Sequence, residues 1–209
     1  MAWSLVIPVK GLAVAKSRLG GPVQSGLALA FVQDTVASAL ATPGVGRVIV
    51  VTDDEAVRAA VSALGAMVRP DVRPGGLNEA VRSGGSYALG IAGPHGVAAL
   101  PSDLPALRPG QLQAALIAAT RHHRSFVPDA SGTGTTLLTA REGVLDPRYG
   151  AGSAAEHAQA GAVPLDGDWP GLRRDVDTIE DLLAAHALGL GSATDIVLAT
   201  TSLLCRSTQ

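Results

Sequence analysis

The chain of 209 residues reads as an α/β protein, with a mostly parallel sheet covered by helices. Three observations predict this class. Short β-branched runs alternate with longer Ala-rich stretches. The run RVIVVT at 47–52 is apolar at every second position on both faces but for its ends, as a strand covered on two sides must be. Glycine (25) and proline (13) cluster between the runs, where turns are needed. Hydrophobic residues make up 47% of the chain and aromatics only 3%, so the core must be built from Ala, Val and Leu. A chain of this length buries roughly 70% of its unfolded surface and needs no disulfide or metal to fold.

Residues 3–9 are the first expected strand. A helix follows over 25–41, with Leu27, Phe31, Val32, Val36 and Leu40 near helical spacing. The second strand is 47–52. Asp53 and Asp54 suit the cap of a helix over 55–64. A short strand at 66–69, a helix over 77–89, a strand at 96–100 and a helix over 109–120, with Pro109 in its first turn, complete the regular half. Beyond it, 125–127 and 135–139 are expected strands, 153–159 a short helix, 162–165 a strand and 178–188 the last helix. One domain over 1–190 is expected, followed by a weakly ordered C-terminal extension over 191–209. Such alternation calls for right-handed crossovers and places ligands outside the carboxyl ends of the strands.

Composition excludes several classes. The formal net charge is −2, from 16 basic and 18 acidic residues, so no global basic field for nucleic acid exists. Two Trp, two Tyr and two Phe supply no base-stacking surface. The single cysteine, Cys205, can close no internal disulfide and rules out a Cys-based zinc cluster. The apolar run at 3–9 is too short for a signal peptide, and no stretch approaches the ~20 apolar residues of a membrane helix. The expected compartment is the cytoplasm, with no membrane partner. Low charge and Ala-rich helices permit either a monomer or a homodimer.

The chemistry should sit at the strand ends. The first strand runs into Lys10 and Gly11, then Lys16 and Arg18. Three cations beside a glycine-bearing loop suit a polyphosphate, whose oxygens accept from backbone N–H groups; a solvated surface loop looks the same in sequence. The patterns G-x-G-x-x-G and G-x-x-x-x-G-K-[ST] are absent here, which disfavours dinucleotide oxidoreductases and P-loop kinases. The fourth strand ends in Leu100-Pro101-Ser102-Asp103-Leu104-Pro105. A carboxylate held between prolines at a sheet edge suits Mg²⁺, which takes few carboxylates plus phosphate oxygens; a turn aspartate is the plain alternative. Asp175 or Asp177 can supply a second metal ligand, while Asp177 or Thr178 caps the last helix. The turn Gly132-Thr133-Gly134-Thr135-Thr136 and the segment Gly150-Ala151-Gly152-Ser153, entering a short helix, offer N–H groups and hydroxyls to an anion, or are a turn and a cap. Asn78 can bond a nucleoside through its amide or cap its helix. The five histidines show no metal-ligand spacing.

These residues resemble the guanylyltransferases of coenzyme F-420 biosynthesis, which act on phosphoenolpyruvate or 2-phospho-L-lactate. The likeness spans residue 7 to about 194. It is carried by PVKGLAVAKSRL (8–19), GLNEAV (76–81), LPSDLPAL (100–107), FVPDASGTGTTLL (126–138), YGAGSAAEH (149–157) and WPGLRRDVDT (169–178). The resemblance implies a nucleotidyltransferase (glycosyltransferase-A-like) α/β/α sandwich with a mixed, mostly parallel sheet. It implies transfer from GTP to a phosphorylated three-carbon acid, phosphoenolpyruvate in the branch most similar to this chain, with release of pyrophosphate. It further implies that Thr135, Gly150 and Ser153 bind the acid, that Asp103 and Asp175 hold Mg²⁺, and that Lys10, Lys16 and Arg18 lie along the triphosphate. Gly11 and Asn78 fall on the nucleotide side, and Asn78 or the Asp53–Asp54 turn is expected to select guanine. No general base is needed, because the acceptor phosphate is already ionised near neutral pH. Nucleotidyltransferases acting on a sugar phosphate or a molybdopterin share the lysine loop and the LPSDLP element, and a nucleotide-binding domain without catalysis is the alternative from another class.

Overall fold

The computed structural model describes residues 2–10, 24–71, 75–91 and 96–201. Seven strands form one sheet: β1 (Trp3–Pro8), β2 (Val45–Val51), β3 (Met67–Arg69), β4 (Gly96–Ala99), β5 (Arg124–Pro128), β6 (Thr135–Ala140) and β7 (Val163–Pro164). Their order across the sheet is β3-β2-β1-β4-β6-β5-β7. Strands β1 to β4 pair in parallel, β7 is parallel to β5, and β6 runs antiparallel to both β4 and β5. The reversal has a consequence for function. The amino end of β6 lies at the same edge as the carboxyl ends of its neighbours.

Among the described residues eight helices accompany the sheet: α1 (Gln24–Leu40), α2 (Glu55–Ala63), α3 (Gly76–Ile91), α4 (Pro109–Ala119), α5 (Ser153–Gln159), α6 (Pro170–Arg173), α7 (Ile179–Ala187) and α8 (Ser192–Thr201). One layer of core joins Leu5, Ile7, Val48 and Val50 of the sheet to Val32 and Val36 of α1, Val57 and Val61 of α2, and Leu112 and Leu116 of α4. The other joins Val6, Ile49, Val97, Phe126 and Leu138 to Ala80, Val81 and Ala88 of α3 and Ala154 of α5. Successive residues of β1 and β2 thus feed opposite layers, which is why the run at 47–52 has no polar face. Helix α3 lies so near the sheet that a Cβ on Gly84 would come within 2.5 Å of Val6. Among the described residues, no helix is long and apolar enough to cross a membrane.

Two elements differ from the sequence reading. The four-residue helix α6 was not expected. Where a weakly ordered extension is read from residue 191, Ser192–Thr201 forms α8 against α1. The cause is a cap borrowed from far away. The buried carboxylate of Asp34, on α1, accepts the backbone N–H of Ala193 at 3.0 Å and of Thr194 at 2.9 Å. Leu198 then packs with Leu27 and Phe31 in a third apolar cluster.

Candidate active site

The carboxyl edges of β1 and β4 open onto a cavity of about 260 Å³, lined by Pro8, Lys10, Phe31, Leu77, Asp103 and Asp177, among others. Ladder bonds persist up to that edge. Val9 N–H donates to the Val51 carbonyl at 2.9 Å and Leu100 N–H to the Val6 carbonyl at 3.0 Å. Lys10 and Asp103 are therefore placed by stiff backbone. The Lys10 ammonium is 2.6 Å from an Asp71 carboxylate oxygen. Asp71 is itself fixed by its N–H, which donates to Asp53 Oδ1 at 2.9 Å. Asp53 thus anchors the segment that anchors Lys10. Asp54 caps α2 as expected, accepting from Ala56 and Val57 N–H. The expected phosphate-loop residues Gly11, Lys16 and Arg18 lie outside the described residues.

The two acidic segments meet through the backbone. Val176 N–H donates to the Asp103 carbonyl at 3.1 Å, and the Val176 side chain is buried in the third apolar cluster. That pins Asp175 and Asp177, on either side of it, next to Asp103. Asp177 is exposed and lines the cavity. Asp175 is half-buried, and its carboxyl is pushed up to about 7, first by burial and then by the negative charge of Asp103, with Asp177 and Asp129 adding to it. The cap of α7 is Thr178, in a reciprocal box with Asp181, so neither aspartate serves as that cap. Arg174 pairs with Asp181 at 3.4 Å.

Among the described residues, no three His, Cys, Asp or Glu side chains converge into a closed metal cage. Mg²⁺ does not require one. It takes one or two carboxylates and completes its shell with water and substrate phosphate. Two opposed carboxylates, one of them resisting ionisation, are a donor set that a divalent cation would relieve. Asp103 and Asp175 fit it on that ground.

Beside this cavity β5, β6 and α5 carry a second wall, joined to the first where Ala130 N–H donates to the Arg173 carbonyl at 2.8 Å. A register shift between Val127 and Pro128 pairs Pro128 with Thr135 and skips Thr136. The irregularity re-aims Thr135. Instead of sharing a face with Leu137, it reaches α5, where its Oγ1 is 2.9 Å from His157 Nδ1 and accepts from Ser153 Oγ at 3.2 Å. The other imidazole nitrogen, Nε2, accepts the N–H of Arg148 at 2.9 Å. Burial lowers His157 to about 4, against weaker opposing pulls from Asp146, so the ring is neutral at pH 7. The Phe126 and Tyr149 rings hold it, with centroids at 5.8 and 5.3 Å.

The approach to α5 corrects one expectation. Gly150 (φ 143°) and Gly152 (φ 73°) occupy backbone conformations that side chains rarely adopt, which suits a tight entrance. Yet the first helix amides are not open to an anion. Ser153 N–H donates to the Gly150 carbonyl at 3.1 Å and Ala154 N–H to the Thr133 carbonyl at 3.0 Å. Those two amides are thus taken up within the protein.

Asn78 is corrected as well. Its Oδ1 accepts Tyr149 N–H at 2.7 Å, and its Nδ2 donates to the Tyr149 carbonyl at 3.0 Å. The amide clamps the segment around Tyr149 from α3. Tyr149, whose phenol burial keeps protonated, donates on to the Ala99 carbonyl at the end of β4. The structure therefore sets Asp175 beside Asp103, with Lys10 on the cavity that Asp103 lines, and groups Thr135, Gly150 and Ser153 with one another. The charge of Asp129, at the head of the 129–134 turn, is felt at Asp175 and links the two walls. His157, Tyr149 and Asp71 were not legible as site residues. Their roles arise from partners distant in sequence.

Residues 29–160 match the MobA-like NTP transferase domain. The phosphoenolpyruvate guanylyltransferase of Geodermatophilus obscurus is 53% identical over 206 residues, covering 94% of each chain. That of Salinispora arenicola is 52% identical, over 95% of this chain and 94% of the relative. That of Streptomyces coelicolor is 51% identical, over 95% and 97%. Among solved structures, one titled as a nucleotide-diphospho-sugar transferase, from Desulfovibrio desulfuricans, superposes with a TM-score of 0.72 at 19% identity, covering 99% of this chain and 98% of that one. A nucleotidyl transferase from Methanothermobacter gives 0.58 at 18% identity, covering 95% and 99%. These two show the fold alone: the nucleotidyltransferase α/β/α sandwich.

Proposed function

Because this chain belongs to the phosphoenolpyruvate guanylyltransferase family, built on the MobA-like NTP transferase domain, we propose that it joins GMP from GTP to phosphoenolpyruvate. The products are enolpyruvyl-diphospho-guanosine and pyrophosphate, and the step belongs to coenzyme F-420 biosynthesis. The bond that forms lies between an acceptor phosphate oxygen and the α-phosphorus. The bond that breaks lies between that phosphorus and the oxygen bridging to the β-phosphate.

The observation that carries this reading is the Val176–Asp103 backbone bond, which sets two acidic segments side by side at the cavity holding Lys10. A site meant only to hold an anion gains nothing from paired carboxylates. A site that must bring two anions together through a cation needs them. Asp103 and Asp175 would hold Mg²⁺, which when bound supplies positive charge to the α-phosphate. Lys10, with Lys16 and Arg18, neutralises the outer phosphates and the departing pyrophosphate. Thr135 holds the acceptor, Ser153 braces that hydroxyl from behind instead of meeting the acid itself, and Gly150 lets the backbone approach it. Holding both reactants in line can contribute on the order of 7 kcal/mol to lowering the barrier. No side chain has to take a proton from the acceptor, and His157, neutral and occupied at both nitrogens, is not poised to do so.

The test is pyrophosphate release by the purified protein with Mg²⁺ and GTP, offered phosphoenolpyruvate and 2-phospho-L-lactate in parallel. Release with phosphoenolpyruvate alone is expected. Release with 2-phospho-L-lactate alone would replace the acceptor, and release with neither would overturn the reaction.

A further inference from the structure

His157 is the most deeply buried titratable group near the acceptor wall and takes no part in the chemistry described above. Its hydrogen bonds fix its proton. Arg148 N–H can only donate, so Nε2 must accept. A neutral imidazole with a bare Nε2 carries its proton on Nδ1. Nδ1–H therefore donates to Thr135 Oγ1. Ser153 Oγ–H donates to the same oxygen. Two donors occupy the two lone pairs of the Thr135 hydroxyl. Its own proton has no acceptor among the described residues.

We propose that His157 is a positioning residue that, through this fixed tautomer, makes the Thr135 hydroxyl an obligate hydrogen-bond donor to an anionic acceptor. The proposal rests on the reading that Thr135 holds the acceptor. It adds the reason that hydroxyl works. Carboxylate and phosphate oxygens accept and do not donate. Were the imidazole in its other tautomer, Thr135 would give its proton to Nδ1 and turn lone pairs toward the anion. The location suits the role. Thr135 stands at the amino end of β6, hence at the carboxyl edge of β5, and is 7% exposed, against 2% for Ser153 and 1% for His157. It is the outermost member of the network, and the only one with a proton left to give. The Ser153 and Ala154 amides are engaged with protein carbonyls, so of these neighbouring groups it is the Thr135 hydroxyl that has a proton to give. Burial keeps the ring from gaining a second proton, which would point at the Arg148 N–H.

The tautomer is read directly by two-bond ¹H–¹⁵N correlation on the intact, ¹⁵N-labelled protein at neutral pH. A proton on Nδ1 and a bare Nε2 are expected; a proton on Nε2 overturns the proposal. Kinetics test the consequence. Thr135→Val should raise KM for phosphoenolpyruvate about tenfold or more, as for a lost bond to a charged group, and leave KM for GTP within twofold. His157→Phe, which removes the donor that orients the Thr135 hydroxyl but leaves its proton, should raise the same KM by a smaller factor. The double variant should be no worse than Thr135→Val, because His157 acts only through that hydroxyl. His157→Asn, whose amide can still donate toward Thr135, should recover most of the loss and covers the case in which His157→Phe misfolds. Additive losses, or equal rises in KM for GTP, would reduce His157 to a packing residue. If wild-type protein releases no pyrophosphate with either acid, the proposed reaction fails, while the tautomer measurement still decides the hydrogen-bond assignment.

Discussion

The two walls of the cleft are built on opposite electrostatic plans. On the Asp103 wall, charges of like sign are pressed together. Asp175 carries a pKa near 7 because burial and then Asp103 resist its ionisation. On the Thr135 wall, neutral groups interlock: Ser153, Thr135, His157 and the Arg148 amide form a chain of bonds, and Asn78 and Tyr149 another. The first wall is unfavourable until a cation arrives. The second is finished before any ligand binds. A site that must join two anions divides the work this way. In the proposed reaction the charge that drives chemistry would come with the metal and nucleotide, while the smaller acceptor would meet a surface already organised, with little entropy left to lose.

Each of the following expectations would break or sharpen that contrast. The largest effect belongs to Asp103→Asn. It should lower kcat/KM by about 10²-fold or more, the scale of losing a group that meets transition-state charge, with the thermal midpoint of the protein scarcely moved. Survival of activity within a few-fold would make Asp103 a turn residue and dissolve the first wall. Asn78→Ala comes next. It removes both bonds to the Tyr149 backbone and should raise KM for phosphoenolpyruvate about tenfold at an unchanged KM for GTP. An equal rise for GTP would place Asn78 with the nucleotide after all.

The pH dependence of stability should carry opposite signs on the two walls. His157 titrates at about 4 folded and 6.5 unfolded, so the unfolded chain binds more protons between those values. Its contribution is present above about pH 6.5 and lost as pH falls toward 4. Asp175 titrates at about 7 folded and 3.8 unfolded, so the native state binds more protons in that window. Its contribution is present below about 3.8 and lost as pH rises through 7. Urea midpoints across pH 4–8 check both. His157→Asn should flatten the acid-side loss. Asp175→Asn should gain over wild type at pH 8 without divalent ions, and Mg²⁺ should narrow that gain. A gap that Mg²⁺ leaves untouched would put the cation elsewhere. The smallest effect lies outside the cleft. Asp34→Ala should cost about 1–2 kcal/mol, the scale of a lost helix cap, in denaturant unfolding, and leave turnover per folded molecule unchanged.

Much of this was legible before any coordinates. The alternation of apolar runs located β1, β2, β4, α1 and α4 to within two residues at their ends, because strand and helix periods repeat every two and every 3.6 residues. Asp103 was legible because an apolar strand running into a proline-bounded carboxylate can only deliver it to the sheet edge. Thr135, Gly150 and Ser153 came from the resemblance, and the structure gathers them on one wall. The bonds of Asn78 to Tyr149 were not legible, because an amide near a helix start gives no sign of a partner 71 residues away.

The linear order of residues is enough to specify the α/β class, the strand–helix alternation and the edge where ligands bind. Those depend on contacts between near neighbours, and a pattern four residues long records them. Three features have no such record. Helix α8 exists because Asp34 caps it from 159 residues away. Thr135 faces His157 because the sheet register slips beside Thr136. The imidazole proton sits on Nδ1 because the Arg148 amide occupies the other nitrogen. Each is a donor or acceptor met only once distant segments have packed, and burial then makes leaving it unpaired costly enough to hold it in place.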